Sequence, residues 1–296
     1  MAIAVVLALL CAVSYGASDF LGAVGARRLR VLPGTTITYA VACLVLLMVL
    51  PLVGGTWSIE TIVWGAIAGV VAILGFLLFY AALAAGPMSL ASPLIAVVGA
   101  LVPVGIAVAI GERLELLAWV GVALAIVGGS LISVTRREGA PGIPRRTVVM
   151  SVFAGAGLGL SIVALDRAPA DSGVTAAVVE IIVGFVLLGI VLLAVRLLPR
   201  AKRALAILDE EQSGPQPTIA RARVASAAGG VLLGLSNALL VLALHAGSLA
   251  VVSVLVGLYP VVTIVLAAIV HRERMSVVQL AGVAAAIGAS VLLAAA

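Results

Sequence analysis

The stretch from Tyr80 to Leu131 occurs twice in this chain. It reads YAALAAGPMSLASPLIAVVGALVPVGIAVAIGERLELLAWVGVALAIVGGSL, and a shift of 161 residues aligns it with Val241–Leu292 without a gap. Sixteen of the 52 aligned positions are identical. The matches include an acid–arginine turn between hydrophobic segments, at Glu112–Arg113 and again at Glu273–Arg274. Because an internal repeat determines the architecture, the sequence predicts a protein of two related halves.

The composition indicates that lipid is the solvent for most of the surface. The 296 residues are 64% hydrophobic and only 10% charged, and the mean hydropathy is +1.36. A soluble domain carries about 25% charged residues. The net charge of +5 comes from basic residues in short loops with few aromatic neighbours, which favours membrane topology over nucleic-acid binding. Cys11 and Cys43 lie in apolar runs and are interpreted as packed side chains, not as a disulfide or metal ligands.

Ten segments are apolar over about 20 residues, the length needed to cross a bilayer. They are 2–23, 34–53, 61–85, 88–110, 116–134, 147–166, 173–195, 223–245, 248–270 and 276–295. Pro103 and Pro260 fall inside two of these segments and are expected to kink them. The sequence therefore predicts an all-α integral membrane protein with ten transmembrane helices.

The two halves are predicted to be inverted five-helix repeats. Residues 1–134 form the first repeat, 135–146 (TRREGAPGIPRR) a linker, and 147–296 the second repeat. An odd number of crossings in each half forces the second half to insert upside down relative to the first. Secondary transporters with this plan bind substrate near the midplane where the repeats meet, and expose the site to each side in turn.

Lys and Arg are distributed unevenly between the two sides of the predicted bundle. The loops after helices 1, 3, 5, 7 and 9 hold 15 of the 17 basic residues, and the other side holds only Arg113 and Arg167. The positive-inside rule places the 15-residue side in the cytoplasm. We therefore expect a multi-pass protein of the cell membrane with both termini outside.

The ends of the two repeats share a pattern of proline, acid–arginine turn and glycine. The second copy has it at Pro260, Glu273, Arg274 and Gly282, and the first copy has Gly99 where Pro260 has its counterpart. With the polar opening SYGASDFLG, nearly the whole chain resembles the EamA family of the drug/metabolite transporter superfamily. The resemblance implies ten helices and solute transport, commonly export of metabolites, amino acids or toxic compounds. Members are often drawn with both termini in the cytoplasm, the reverse of the orientation that the charges predict here.

Glu180 is the most informative candidate residue. It lies roughly 10 Å into the seventh segment, where a charged side chain is costly and usually faces the bundle interior or water. Gly173, Ala177, Glu180 and Gly184 share one face of a helix, so the acid is expected to point at other helices. Two interpretations stay open. The carboxyl group couples protons or binds a cationic substrate, or it is a protonated, hydrogen-bonded structural acid.

The first segment carries a second polar face. Its members are Ser14, Tyr15 and Ser18, with Asp19 at the edge. Small and hydroxyl-bearing side chains suit a cavity wall and equally suit close helix packing. Asp19 is also placed for an interfacial charge pair with the nearby Arg27 or Arg28.

The eighth segment combines small residues with one amide. Ser226, Gly230 and Gly234 have the spacing of close backbone approach, which predicts packing. Asn237 lies on the same face and needs hydrogen-bond partners in lipid, so it is a candidate for the cavity wall. Its counterpart in the other half is Phe76, a difference that a substrate site or sequence drift would produce. Candidate wall aromatics, each also explained by packing, are Phe76, Tyr39, Tyr80 and Tyr259.

The repeated turns Glu112–Arg113 and Glu273–Arg274 are predicted to be structural. A carboxylate at the start of a helix caps free N–H groups and suits the helix dipole. No cofactor or metal is expected, because the two histidines, His245 and His271, lie near segment ends and no metal-ligand or phosphate-loop spacing occurs. ATP-driven pumping by this chain is therefore not expected either.

The sequence favours a secondary active transporter over an enzyme. The predicted function is export of a small organic metabolite, amino acid or drug by alternating access, coupled to protons and using Glu180 and Asn237. The alternatives are a lipid-handling protein, a membrane-embedded enzyme or a structural subunit. The expected partners are a small-molecule substrate and the lipid bilayer, without nucleic acid. A monomer is the default because one duplicated chain can form the whole pathway, and a homodimer through small-residue faces is the other option.

Overall fold

The fold is known from a computed structural model that describes residues 2–85, 88–133, 145–206, 217–271 and 275–296. All the regular structure in these ranges is helical. In chain order the helices are α1 (Ala2–Leu29), α2 (Val31–Val53), α3 (Ile59–Ala85), α4 (Met88–Ala109), α5 (Leu116–Ser133), α6 (Arg145–Asp166), α7 (Thr175–Leu197), α8 (Pro199–Ala204), α9 (Ile219–Ala246), α10 (Leu249–Val256), α11 (Tyr259–His271) and α12 (Val277–Ala295). A single 3-10 turn, Ala170–Ser172, precedes α7.

Helices occupy each of the ten segments that the sequence predicts as spans. Within the described ranges, eight helical stretches are long and apolar enough to cross a membrane, one of them formed by α10 and α11 together. Two shorter apolar stretches, Leu94–Ala109 and Leu116–Leu131, lie in α4 and α5. The chain is therefore an all-helical, multi-pass membrane protein.

The predicted helix 248–270 is corrected by the structure. It is broken at Gly257–Leu258, so that α10 and α11 are separate helices. Pro260 is the second residue of α11, not an interior residue. A proline in the first turn of a helix lacks an N–H that would have no partner there, and it fits without kinking the helix. Pro103 lies inside α4, as predicted.

The two halves of the chain pack against each other in matched pairs. We call α1–α5 the first half and α6–α12 the second half. Helix α1 packs on α9, and its counterpart α6 packs on α3. Likewise, α2–α9 contacts correspond to α7–α3 contacts, and α1–α11 contacts correspond to α6–α4 contacts. Three further cross-half pairs, α2–α7, α5–α12 and α4–α10, join counterparts directly. The largest interfaces between the halves are thus mapped onto one another, or onto themselves, when the halves are exchanged.

Glycines allow these helices to approach closely, as the small-residue spacing predicts. A Cβ on Gly230 of α9 would lie 2.5 Å from the carbonyl oxygen of Thr38 on α2. In the other half, a Cβ on Gly69 of α3 would lie 2.6 Å from the carbonyl oxygen of Glu180 on α7. Only a residue without Cβ fits such backbone contacts, so packing is the role of these glycines.

The core is concentrated at one end of the bundle. This terminus-bearing end contains the start of α1, the α4–α5 turn and the α9–α10 turn, which meet where Ala4 contacts Gly247. All eight residues of α10 are buried there, together with Ala4 and Ala8 of α1. Towards the opposite, arginine-bearing end, Asp19 is exposed and residues 259–268 are only partly buried. The bundle is therefore packed more tightly around α10 than around α11, and for this difference we call the terminus-bearing end the closed end and the opposite end the open end.

Candidate functional site

A hydrogen-bonded pair joins the two halves in the middle of the bundle. The hydroxyl group of Tyr15 on α1 donates to Oδ1 of Asn237 on α9 at 3.0 Å. Asn237 is 1% exposed, and its Nδ2 donates to the carbonyl oxygen of Leu233 at 2.9 Å. The ring of Tyr15 also lies 6.3 Å from that of Tyr259 on α11, with the planes tilted by 52°. Three helices from both halves therefore converge on Tyr15.

Glu180 lies in the interior of the bundle, as the helical face predicts. Its side chain is 6% exposed, and Oε1 accepts a hydrogen bond from the Ser161 hydroxyl group on α6 at 3.1 Å. The second oxygen, Oε2, is buried and has no hydrogen-bond partner among the described residues. A buried carboxyl oxygen without a partner is costly to the fold. It is the kind of group that a proton or a ligand would satisfy.

Glu180 and the Tyr15–Asn237 pair belong to one cluster. Helix α9, which carries Asn237, contacts both α6, which carries Ser161, and α7, which carries Glu180. Tyr39 on α2 packs its ring against Gly184, one helical turn after Glu180 on α7. We call Tyr15, Asn237, Glu180 and Ser161 the central polar layer. Tyr15 and Asn237 come from the α1–α9 interface. Ser161 on α6 and Glu180 on α7 come from helices that pack against α3.

The other predicted residues of α1 lie at different places around the helix. The Ser18 hydroxyl group donates to the carbonyl oxygen of Gly229 at 2.8 Å, so Ser18 helps to pack α1 on α9. Ser14 is half-buried. Asp19 is exposed, one turn after Tyr15 and towards the open end. Arg27 is eight residues further on, about 12 Å along the helix.

Glu112 caps a helix of the other half of the chain. Its Oε2 accepts from the Ser248 hydroxyl group at 2.7 Å and from the N–H of Ala250 at 3.3 Å, and its Oε1 accepts from the N–H of Leu249 at 3.0 Å. These are the first residues of α10, whereas the helix that follows Glu112 in sequence is α5. Arg113 is exposed. Glu273 and Arg274 lie outside the described residues.

The family follows from a comparison with protein-family models. The model of the EamA-like transporter family matches residues 2–134 and again 145–295. This chain belongs to the EamA-like transporter family. The two matches together cover nearly the whole sequence, and the boundary between them falls in the arginine-rich segment between α5 and α6.

Solved structures support the fold of this EamA-like protein. A crystal structure described only as that of a protein superimposes on 98% of this chain and 95% of its own, with a TM-score of 0.74. The sequence identity is 16%, so the similarity concerns the fold alone. Comparison with curated proteins finds no significant sequence match.

Two hydrogen bonds of the candidate site residues, Ser161–Glu180 and Ser248–Glu112, were not anticipated from the sequence. Ser161 and Glu180 are equidistant from the midpoint of the 167–174 connection between α6 and α7. In a helical hairpin, such residues lie at the same depth, so this spacing is a signal that could have paired them. The sequence offered less indication of the hydrogen bond between Ser248 and Glu112, because these residues are 136 positions apart.

Metal binding has no structural support within the described ranges. No group of three or more His, Cys, Asp or Glu side chains there is arranged to hold a metal ion. A shallow pocket between α4, α5 and α10 is lined mainly by apolar and small residues, Ala96, Ala125 and Val254 among them. It contains none of the predicted site residues, so the central polar layer is the candidate site.

Proposed function

We propose that this protein is a proton-coupled secondary carrier that exports a small organic solute by alternating access. The solute class is an organic metabolite, an amino acid or a drug. The observation that carries the proposal is Glu180, a deeply buried carboxyl group with one unpartnered oxygen, beside the Tyr15–Asn237 pair at the junction of the two halves. Ionisable groups in such positions usually mark substrate or proton pathways.

The proposal includes ten membrane crossings arranged as two inverted repeats, 1–134 and 147–296. The matched interfaces between the halves support it, because a pseudo-two-fold axis in the membrane plane would produce the same pairing. So do the helices found in all ten apolar segments. Five crossings per half would place α1 and α6 in opposite directions across the bilayer.

In the proposed mechanism, Glu180 exchanges a proton and the solute at the same place. The protonated carboxyl group is neutral and tolerated in the buried site, whereas the ionised form needs a partner there. Loss of the proton would favour binding of a polar or cationic group of the solute at Oε2. Tyr15 and Asn237 would contact the polar part of that solute, and Tyr39 and Tyr259 would form walls of the cavity.

Alternating access is supported by the uneven packing of the bundle. The layer lies between a tightly packed, terminus-bearing end and a looser, arginine-bearing end. Two related halves can exchange these arrangements, so that the loose end becomes tight and the tight end opens. One chain holds both halves and all four layer residues, and we propose that a monomer in the cell membrane is sufficient for transport.

The test is transport by the purified protein in proteoliposomes under an imposed pH gradient. Amino acids, nucleosides and cationic drugs are offered as separate panels. We expect the wild type to accumulate one class against its concentration gradient, and Glu180→Gln only to equilibrate it. Glu115→Gln, which changes an exposed carboxylate at the start of α5, is the matched control and should behave as the wild type.

Either of two results would refute the proposal. If Glu180→Gln accumulates the solute as well as the wild type does, Glu180 does not couple protons. If neither protein moves any class in the panel while both remain folded, a lipid-handling role becomes the better explanation.

A further inference from the structure

We propose that Glu112 is a latch that holds the terminus-bearing end of the transport pathway closed, and that it must release α10 in each transport cycle. The inference rests on the proposed function, since it assigns a step of alternating access to a residue outside the central polar layer. Glu112 belongs to the first half of the chain and α10 to the second, so its bonds cross the boundary between the parts that would move.

The carboxylate satisfies the first turn of α10 almost completely. The N–H groups of Leu249 and Ala250 donate to Glu112, and the N–H of Val251 donates to the Ser248 hydroxyl oxygen at 3.4 Å. Ser248 in turn donates its own proton to Glu112. A negative charge at a helix N-terminus also interacts favourably with the helix dipole, and bonds to a charged acceptor are stronger than neutral ones. One side chain therefore fixes the start of α10.

The backbone around Glu112 is built to present the carboxylate in this direction. Gly111, just before it, has φ +104°, a left-handed conformation that favours glycine. The N–H of Glu112 turns back to donate to the carbonyl oxygen of Ala107 at 2.9 Å, and Ala107 is fully buried in α4. The side chain is thus held on a rigid turn, not on a mobile loop.

The helix whose N-terminus Glu112 binds, α10, fills the closed end of the bundle. All of α10 is buried, and a Cβ on Gly247, just before it, would clash with Ala4 at the start of α1. Separating Glu112 from the α9–α10 turn would therefore loosen α10, α1 and the α4–α5 turn together. The carboxylate itself is only half-buried, so water can replace its partners when it lets go.

A latch must stabilise one conformation relative to the other. A contact made only in the conformation closed at this end shifts the equilibrium between the two states by its whole free energy. A capping residue with a purely structural role would be retained in both states. Removing it would lower stability without exposing one end of the pathway in particular.

The experiment measures the reactivity of single cysteines in nanodiscs towards a polar maleimide. In a Cys43→Ser background, native Cys11 is fully buried between the closed end and Tyr15, and reports on opening of that end. In a Cys11→Ser/Cys43→Ser background, Gly22→Cys reports on the open end, where an added Cβ meets no described atom within 4 Å. Thermal unfolding midpoints are recorded for every variant, and labelling is done well below them.

We expect Glu112→Gln to increase the labelling rate of Cys11 at least about tenfold, without increasing that of Gly22→Cys. Ser248→Ala should act in the same direction. In the Glu112→Gln/Ser248→Ala double variant, the increase in Cys11 labelling should be smaller than the two single effects combined, because the two residues share one interaction. Glu115→Gln, three residues along from Glu112 and exposed, should leave both rates unchanged.

Equal Cys11 labelling in Glu112→Gln and Glu115→Gln would overturn the latch, and so would a rise at both reporters, which would indicate general loosening. The assay needs no solute and no proton gradient. A failure of Glu180 to couple protons would therefore leave this result standing, and an absent latch would leave the coupling result standing.

Discussion

The hydroxyl group of Tyr15 and the amide oxygen of Asn237 are 3.0 Å apart, although 222 residues separate them in sequence. Tyr15 comes from α1 of the first half and Asn237 from α9 of the second half. The bond is therefore a direct link between the two halves at the centre of the bundle. If the halves rock, this link lies close to the pivot.

The first prediction concerns Tyr15→Phe. Loss of the phenolic O–H leaves Oδ1 of buried Asn237 without this donor, at a cost of about 0.6–2 kcal/mol in unfolding free energy. We also expect the solute concentration that gives half-maximal transport to rise by about tenfold or more, because Tyr15 no longer holds the amide oxygen of Asn237 in place. Thermal unfolding in detergent and transport in proteoliposomes measure the two effects.

Ser290→Ala is the control for Tyr15→Phe, because its hydroxyl group bonds within α12, to the carbonyl oxygen of Ala286 at 2.9 Å. It should leave solute affinity unchanged. An unchanged half-saturation concentration in Tyr15→Phe, together with a lower unfolding midpoint, would assign the pair to structure alone.

The second prediction concerns the stability of Glu180→Gln. In the wild type, Oε2 is buried without a partner, and an ionised carboxylate in that position is expensive. A neutral amide of the same shape removes the charge while its oxygen can still accept from Ser161. We expect the unfolding midpoint of Glu180→Gln to equal or exceed that of the wild type, even though coupled transport is lost.

Ser161→Ala provides the comparison for Glu180→Gln, because it removes the donor to Oε1 and leaves both carboxyl oxygens without a partner among the described residues. Its midpoint should fall below that of the wild type. A fall of about 5 °C or more in Glu180→Gln itself would show that the carboxyl group supports the fold.

The sequence predicted the helices well because the signals for them are local. A run of 20 apolar residues specifies a membrane helix whatever surrounds it, and helices occur in all ten such segments. The break before Tyr259 was missed because the apolar run continues through Gly257 and Leu258. The prediction treated Pro260 as a kink, while the structure uses it as the start of a new helix.

The sequence predicted the site only in part, because several of its contacts join residues that are far apart in the chain. The helical wheel indicated that Glu180 faces other helices, because it shares a face with the small residues Ala177 and Gly184. It did not indicate which group would meet it. The bonds of Glu112 to Ser248 and of Tyr15 to Asn237 join residues more than 130 positions apart. Such pairs depend on how the two halves dock, which no local pattern specifies.

The third prediction tests the close helix contacts. Gly230→Ala places a Cβ 2.5 Å from the Thr38 carbonyl oxygen and 2.7 Å from the Val41 Cβ, so α2 and α9 must separate. We expect a loss of about 1–3 kcal/mol in unfolding free energy, read as a lower midpoint in detergent.

Gly189→Ala is the matched control for Gly230→Ala, since a Cβ at Gly189 in α7 meets no described atom within 4 Å. There the better helix propensity of alanine should raise stability by up to about 1 kcal/mol. If both variants raise stability, helix propensity and not packing explains the glycines.

The fourth prediction concerns orientation. The side of the bundle with 15 of the 17 Lys and Arg residues is proposed to be cytoplasmic, because basic loops resist translocation. A C-terminal alkaline phosphatase fusion should then be active, and a C-terminal fluorescent-protein fusion should stay dark. Neutralising Arg200, Lys202 and Arg203 after α7 should weaken this bias, whereas neutralising Arg113 and Arg167, which lie on the other side, should strengthen it. A fluorescent C-terminal fusion with an inactive phosphatase would reverse the orientation. The latch at Glu112 would then close the cytoplasmic end of the pathway, while its bonds and its role in the cycle would stay the same.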